Sequence, residues 1–150
     1  MYEPLFIANN LIERGKAENI SITPMKLQKI LYFVYRNYLQ ESNIPLFAER
    51  FATWKYGPVL TSVYSVFYGA DPIKDFYRIN GKAYKADENN DLLLHTVLDS
   101  VWNLCKKYDG VSLSKMTHRK GSAWYVAYNN DSVFLHDQDI KKDKVEIKYE

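Results

Sequence analysis

The chain has 150 residues, which favours a single domain with a core that needs no disulfide or metal to be stable. Its 47% hydrophobic and 25% charged residues are ordinary for a globular protein, and its one cysteine excludes an intrachain disulfide or a cysteine-cluster metal site. The 20 basic and 18 acidic residues give a formal net charge of +2, which neither favours nor excludes a nucleic-acid partner.

Two further features concern the location of the protein. Residues 1–10 lack a basic stretch followed by an apolar run, so we expect no signal peptide. No apolar segment approaches the roughly 20 residues that are needed to cross a bilayer. We therefore expect a cytoplasmic protein without a membrane partner.

The first two predicted elements are helices. Apolar residues at helical spacing predict the first over residues 4–14, with Gly15 as its terminator. The second is a long helix that Thr23 caps, that Pro24 begins and that fades near residue 41. Because its apolar residues cover much more than one stripe, we place this helix at the centre of the domain. These residues are Leu27, Ile30, Leu31, Tyr32, Val34, Tyr38 and Leu39.

The middle of the chain is predicted to hold the β structure. Residues 51–56 are short, aromatic and partly alternating, which predicts a strand or extended segment. Gly57 and Pro58 then favour the start of a third helix. The pair Asn80-Gly81 between two short segments predicts a hairpin with a type I′ turn. A lone hairpin is marginal in water, so we expect this one to lie against the helices or to pair with the earlier strand.

The fourth predicted helix follows a polar connection. Asn90 or Asp91 is expected to cap it, and Gly110 is expected to end it. Its apolar stripe includes Cys105, which we expect to be an inert, buried thiol.

The remaining segments are two short helices and a tail. Ser112 is the expected cap of a helix that ends at His118, and a last helix is predicted over residues 122–128. The domain is taken as residues 1–136, followed by a charged tail over 137–150 that forms an edge strand or is partly disordered. The predicted fold class is α+β and mainly α-helical, with helices and a small β-hairpin around the central helix.

Three segments together resemble a known family. They are residues 25–33 (MKLQKILYF), residues 54–59 (WKYGPV) and residues 113–118 (LSKMTH) followed by Trp124. This series is similar to that of the Panacea-domain proteins, which include the SocA-like antitoxins and the phage-associated GepA proteins. The resemblance covers roughly residues 5–128. Ala123 stands where the family usually has proline before the tryptophan.

The resemblance implies a small helical antitoxin that neutralises a cognate protein toxin by direct binding. In the SocA-like case it also implies delivery of the toxin to a protease. It implies neither an enzyme nor a cofactor. The alternative is a DNA-binding regulator, or a protease adaptor, associated with a mobile genetic element.

The three motifs supply ten candidate partner-binding residues. On the central helix, one interpretation is that the charge of Lys26 reaches solvent and that Gln28 caps a backbone group; the other is that both line a partner groove. We expect the exposed edge of this helix, together with Lys55 and Tyr56, to be part of the toxin-binding face. Substitution of Lys26 or Lys55 by Glu is expected to leave the fold intact. The ten candidates are Lys26, Gln28, Lys29, Tyr32, Trp54, Lys55, Tyr56, Thr117, His118 and Trp124.

Two candidates allow further alternatives. Trp54 is interpreted mainly as a structural corner and otherwise as an interface anchor. His118 is expected to be structural, hydrogen-bonded to backbone and packed on Trp124, because no oriented nucleophile or carboxylate accompanies it. Three scattered histidines without carboxylate pairs at ligand spacing predict no metal site.

The two short helices also resemble a helix-turn-helix. The second helix, over residues 122–130, carries no Arg or Lys, whereas a reader of duplex DNA normally brings basic residues to the phosphates. Binding of nucleic acid by this chain alone is therefore not expected. The sequence leaves the oligomeric state open.

Overall fold

A computed structural model describes residues 1–149 of the chain. Over these residues helices predominate, with two small antiparallel strand pairs, which confirms the mainly α-helical α+β fold class. The elements in chain order are α1 (Pro4–Glu18), α2 (Pro24–Ser42), β1 (Ala52–Trp54), β2 (Gly57–Val59), α3 (Thr61–Phe67), β3 (Arg78–Ile79), β4 (Lys82–Ala83), α4 (Leu92–Cys105), α5 (Gly110–Thr117), α6 (Ala123–Asn129) and α7 (Asp137–Lys142).

Helix α2 lies at the centre of the fold, as predicted. The Thr23 hydroxyl accepts a hydrogen bond from the Lys26 amide at 3.2 Å, which caps the helix, and Pro24 occupies its first position. The helix packs against α1, α3, α4, α5, α7 and β2, so nearly its whole circumference is covered. Its fully buried apolar side chains include Leu27, Ile30, Leu31, Phe33 and Val34.

Two glycines that were expected to end helices lie elsewhere in the helices. Helix α1 continues past Gly15 and ends at Glu18, and Asn19, whose φ is 56°, is its C-cap. A Cβ on Gly15 would lie 2.8 Å from Cδ1 of Ile22, so the glycine permits close contact with the chain that follows the helix. Gly110 begins α5 and does not end α4, and a Cβ there would lie 2.9 Å from the amide nitrogen of Lys26. Both glycines are therefore required by tertiary contacts.

The caps of α4 and α5 are both aspartates. Asp91 caps α4, in agreement with the expectation, but the helix ends at Cys105. Asp109 caps α5 by accepting from the Ser112 amide at 2.8 Å, so the prediction of Ser112 as cap was wrong. Cys105 is fully buried, and burial raises the pKa of its thiol to about 12, in agreement with an inert thiol.

Strands β1 and β2 form an antiparallel hairpin in which Trp54 pairs with Gly57, so Lys55 and Tyr56 form the turn. The sequence predicted the first strand but placed Pro58 at the start of a helix. Pro58 lies in β2 instead, and α3 begins only at Thr61. Polar side chains of α2 hold the backbone extended here, as described below.

The Asn80-Gly81 hairpin is confirmed as β3 and β4, with φ angles of 50° and 81° at the turn. It lies against α1 and does not pair with β1. The Asn9 amide group donates to the carbonyls of Tyr77 and Tyr84 at 2.8 and 2.7 Å and accepts from the Tyr77 amide at 2.8 Å. One asparagine of α1 thus fixes both arms of the hairpin.

The C-terminal segment differs from the expected edge strand. Residues 137–142 form α7, and residues 144–149 contain no strand. The carboxylate of Asp143 is buried and accepts from the Tyr32 hydroxyl at 2.5 Å and from the Ala123 amide at 3.2 Å. It also lies 3.5 Å from the guanidinium of Arg36, which donates to the Val145 carbonyl at 2.6 Å. These contacts fasten the segment to α2 and to the start of α6.

Ala123, the departure from the family pattern, is the first residue of α6 and follows the cap Ser122. Proline is compatible with this position, because the first residues of a helix need no intrahelical donor. In this chain the amide of Ala123 has a partner that proline could not have, the carboxylate of Asp143.

The buried carboxylate of Asp143 leads to the first prediction. Replacement of Asp143 by Ala should lower the free energy of unfolding by about 3 kcal/mol or more, because the Tyr32 hydroxyl and the Arg36 guanidinium lose a buried acceptor. Urea unfolding measures the change. Glu146→Ala is the matched control, since this carboxylate pairs with Lys148 at the surface, and its melting temperature should stay near that of the wild type. Equal melting temperatures for the two variants would contradict the role assigned to Asp143.

Candidate partner-binding site

The motif residues of α2 are buried and bond to other parts of the chain. The Lys26 ammonium donates to the Lys106 carbonyl at 2.6 Å, so the expectation that its charge reaches solvent was wrong. Gln28 bonds to backbone as expected: it donates to the Leu60 carbonyl at 3.0 Å and accepts from the Leu60 amide at 2.8 Å. Tyr32 donates to Asp143. Burial and the Asp143 carboxylate raise the pKa of Tyr32 well above its usual value.

The expected contact face on an exposed edge of α2 is therefore corrected. Lys26, Lys29, Tyr32 and Arg36 are all buried, because α4, α5, β2 and the C-terminal segment cover this side of the helix. Lys26→Glu would place a carboxylate beside the carbonyl of Lys106, so the expectation that the fold tolerates it is also corrected.

Lys29 is the most deeply buried cation of α2. Its side chain is 1% exposed, and its ammonium donates to the Pro58 carbonyl at 2.9 Å. Within residues 1–149 this nitrogen makes no other hydrogen bond. Burial lowers the pKa of Lys29 from 10.5 to about 7. Near neutral pH the amine is thus present in both protonation states.

The motif around α5 and α6 holds the β1–β2 hairpin from the inside. Three successive hairpin carbonyls each accept a hydrogen bond from a different side chain. Trp124 Nε1 donates to Trp54 at 2.7 Å, His118 Nε2 donates to Lys55 at 2.8 Å, and the Ser114 hydroxyl donates to Tyr56. The carbonyls of the turn therefore face the protein, and its side chains face outward.

His118 has the structural role that the sequence suggested. Its second ring nitrogen faces the Ser114 carbonyl, and its ring lies 3.9 Å from that of Trp124, centroid to centroid. Thr117 is buried, and its hydroxyl donates to the Ser114 carbonyl at 2.6 Å. Neither residue is joined to a nucleophile or to an acid by any hydrogen bond in the described part of the chain.

The outer side of the hairpin forms an exposed aromatic surface with α3. The rings of Trp54 and Tyr64 meet edge to face with centroids 4.9 Å apart, and Tyr68 lies 5.4 Å beyond Tyr64. Tyr56 is 61% exposed and Trp54 39%. The Lys55 ammonium lies 5.8 Å from the centre of the Tyr56 ring. We call Trp54, Tyr56, Tyr64 and Tyr68 the aromatic face.

A pocket of about 240 Å³ opens beside the aromatic face. Its floor is formed by α2, and its sides by α3 and the hairpin. We call it the hairpin pocket; it is lined by Pro24, Met25, Gln28, Lys29, Trp54, Tyr56, Val59, Val63, Tyr64 and Phe67.

One group of ligand-type side chains was not expected from the sequence. Glu88, His95 and Asp99 offer atoms within 4.8 Å of one another, a spacing that could hold a metal ion. The guanidinium of Arg14 already bonds to Glu88 at 2.5 Å and to Asp99 at 2.7 Å. Burial opposes ionisation of Glu88, but hydrogen bonds from Arg14, Asn10 and His95 outweigh it and lower its pKa to about 2. Because Arg14 supplies the positive charge here, we interpret the group as an ion-pair network.

The partner-binding candidates from the sequence differ widely in exposure. Of the ten candidates, Trp54, Lys55 and Tyr56 are exposed together, whereas the α2 residues, Thr117 and Trp124 are buried. Tyr64 of α3 and Tyr68, the C-cap of that helix, were not among the candidates, although residues four apart lie on one side of a predicted helix. Ser114, the third side chain that donates to a hairpin carbonyl, was also missed, because nothing in its local sequence indicates a distant partner.

A small helical domain with a rigidly held, exposed aromatic face is typical of a protein-binding domain. The family described as "Antitoxin SocA-like, Panacea domain" matches residues 27–125. "Antitoxin SocA" of Caulobacter vibrioides (strain NA1000 / CB15N) is 30% identical over 139 residues, which cover 86% of this chain and 72% of that protein. The chain therefore belongs to the SocA-like antitoxin family. No solved structure matches it.

Family membership supports an antitoxin role and a toxin partner, and it suggests a function other than catalysis. In residues 1–149 no helix is both long enough and apolar enough to span a membrane.

The buried amine of Lys29 leads to a prediction about pH. In the unfolded chain its pKa is near 10.5 and in the folded protein about 7, so between these values the unfolded state binds more protons. The stability of the wild type relative to Lys29→Met should therefore rise from pH 7 to pH 9, by up to about 1.4 kcal/mol per pH unit. Urea unfolding of both proteins at several pH values gives the difference, in which other titrating groups cancel. A difference that does not change with pH would contradict the prediction.

His118 leads to a second prediction. His118→Ala removes the hydrogen bond to the Lys55 carbonyl and the ring packed on Trp124, so it should destabilise the fold by about 1–3 kcal/mol. Toxin neutralisation should fall only in proportion to the loss of folded protein. His136→Ala is the control, because this histidine is exposed and its ring bonds to the side chains of Arg50 and Ser132, and the effect of this change on stability should be smaller than that of His118→Ala. A normally stable His118→Ala protein without any neutralising activity would indicate a direct functional role.

Proposed function

We propose that this protein neutralises a cognate protein toxin by direct binding, and that the aromatic face is the centre of the contact. Family membership supports the antitoxin role. The observation that carries the choice of surface is the exposure of four aromatic side chains side by side, next to a pocket. Interface hot spots are enriched in Trp and Tyr, and exposed apolar patches are rare on proteins that bind no partner.

Rigidity of the hairpin supports the same surface. The three carbonyl hydrogen bonds from Ser114, His118 and Trp124 fix the turn, and Lys29 fixes Pro58 next to it. A backbone that is already ordered loses little conformational freedom when a partner covers it, which favours affinity. Neutralisation by this route occludes the toxin and needs no cofactor and no bond chemistry.

The exposed ammonium of Lys55, in the turn of the β1–β2 hairpin, supports a polar contact with the toxin at the edge of the aromatic face. The side chain of Lys55 is exposed, while its backbone is held by His118. A charge at the rim of an interface contributes mainly to the rate of association and to the choice of partner. Reversal of the Lys55 charge should therefore slow association most when the toxin surface opposite Lys55 is acidic.

The test is co-expression with the toxin encoded by the neighbouring reading frame. Tyr56→Ala should weaken toxin binding by about 2 kcal/mol or more, as truncation of a central aromatic does, and Lys55→Glu should slow association. Growth rescue reports neutralisation, and calorimetry with purified proteins reports the affinity. The amount of toxin in the cells separates the two routes: a constant level indicates occlusion, and a falling level indicates delivery to a protease.

Matched controls lie on the other hairpin. Tyr84→Ala and Lys82→Glu make the same changes at exposed positions of the β3–β4 region, so they should leave binding unchanged. Melting temperatures verify the folding of all four variants. If the two variants of the β1–β2 hairpin are folded and bind toxin like the controls, the toxin contacts another surface.

A further inference from the structure

The hairpin pocket has the size and lining to hold a side chain of a partner. An apolar cavity of about 150 Å³ is large enough for benzene, so the 240 Å³ of this pocket can hold an aromatic ring or a large aliphatic group. Val59, Val63 and Phe67 give it apolar walls, and Met25 adds a flexible side chain that can adapt to an occupant.

The electrostatics of the pocket favour an anion next to the apolar group. Lys29 is one of the lining residues, and its ammonium has one hydrogen bond, to Pro58, within the described chain, although it carries three N–H groups. No acidic side chain is among the lining residues. Lys55 stands exposed beside Tyr56 at the rim. The first turn of the 19-residue helix α2 forms another part of the wall, and the positive end of its macrodipole lies there.

We propose that the hairpin pocket receives an aromatic or large aliphatic side chain of the toxin that is flanked by an Asp or Glu, with the carboxylate directed to Lys29. This inference rests on the proposed function and names the chemistry of its partner. The apolar side chain fills the space between α2 and α3, and the carboxylate accepts a further hydrogen bond from Lys29, whose ammonium makes one hydrogen bond within residues 1–149. A carboxylate in the pocket also compensates the burial of the ammonium, because it favours the charged form of the amine.

Small probes test the pocket without knowledge of the toxin. Indole-3-propionate carries the ring and the carboxylate, indole-3-propionamide is its neutral analogue, and tryptamine carries the same ring with a cation. Titration of the full chain followed by NMR should show the acid binding about tenfold more tightly than the amide, with tryptamine weakest. Equal affinities for acid and amide, or no binding of the acid, would overturn the proposal.

Two variants locate the probe. Met25→Trp places a larger side chain in the pocket without removal of any hydrogen-bonding side chain, so it should abolish binding of the acid, whereas the volume-conserving Met25→Leu should retain it. Lys29→Met should bind acid and amide equally. Binding of the acid to Met25→Trp with wild-type affinity would overturn the assignment to this pocket, even if Lys29→Met fails to fold.

Competition with the toxin separates this inference from the proposed function. Purified toxin should displace indole-3-propionate, and Met25→Trp should bind toxin more weakly than Met25→Leu. If the aromatic-face variants lose toxin binding while Met25→Trp retains it, the aromatic face binds the toxin, but no toxin side chain occupies the pocket. If neither set affects binding, the proposed surface itself is wrong. Sedimentation at the same concentrations tests whether the pocket is occupied by a second copy of this chain. Self-association that Met25→Trp abolishes would overturn the proposal that the toxin occupies the pocket.

Discussion

The structure depends on one constraint: the polar side chains of the most buried helix must find hydrogen-bond partners inside the protein. An unsatisfied buried donor costs about twice what a typical hydrogen bond contributes, so each partner has to be in place. The partners come from later segments of the chain. Lys26 binds the end of α4, Gln28 and Lys29 bind residues 58–60, and Tyr32 binds Asp143. The polar residues of α2 thus determine where the β1–β2 hairpin, α4 and the C-terminal segment lie.

This constraint explains why the family motif can be recognised in the sequence, whereas the identity of the toxin cannot be inferred from it. Lys26, Gln28 and Lys29 are polar residues in the core, a pattern that packing alone would not produce. They indicate the fold, since their side chains form hydrogen bonds to backbone carbonyls of other segments. The identity of a toxin depends on exposed residues such as Tyr56 and Tyr68, which contribute little to the fold and are free to differ.

The sequence predicted those features whose cause is local. Thr23 as a cap, the helix after it and the Asn80-Gly81 turn follow from backbone preferences of a few adjacent residues, and all three are confirmed. Gly15 and Gly110 were misread because their reason is a close contact with a segment far away in the fold. The role of Asp143 was missed for the same reason: its partners Tyr32 and Ala123 lie 111 and 20 residues away, and the mixed charges around it resemble a solvated tail.

The same long-range bonds explain why an exposed aromatic face is compatible with a well-ordered fold. A two-residue turn between strands of three residues would be marginal on its own. Here the carbonyls of Trp54, Lys55 and Tyr56 are fastened from the protein side by Trp124, His118 and Ser114, and the outward side chains carry none of that stabilisation. The order of the hairpin backbone therefore does not depend on which side chains the hairpin exposes. The side chains of Ser114, His118 and Trp124 can hold the hairpin whatever aromatic residues it exposes, because their hydrogen bonds go to backbone carbonyls.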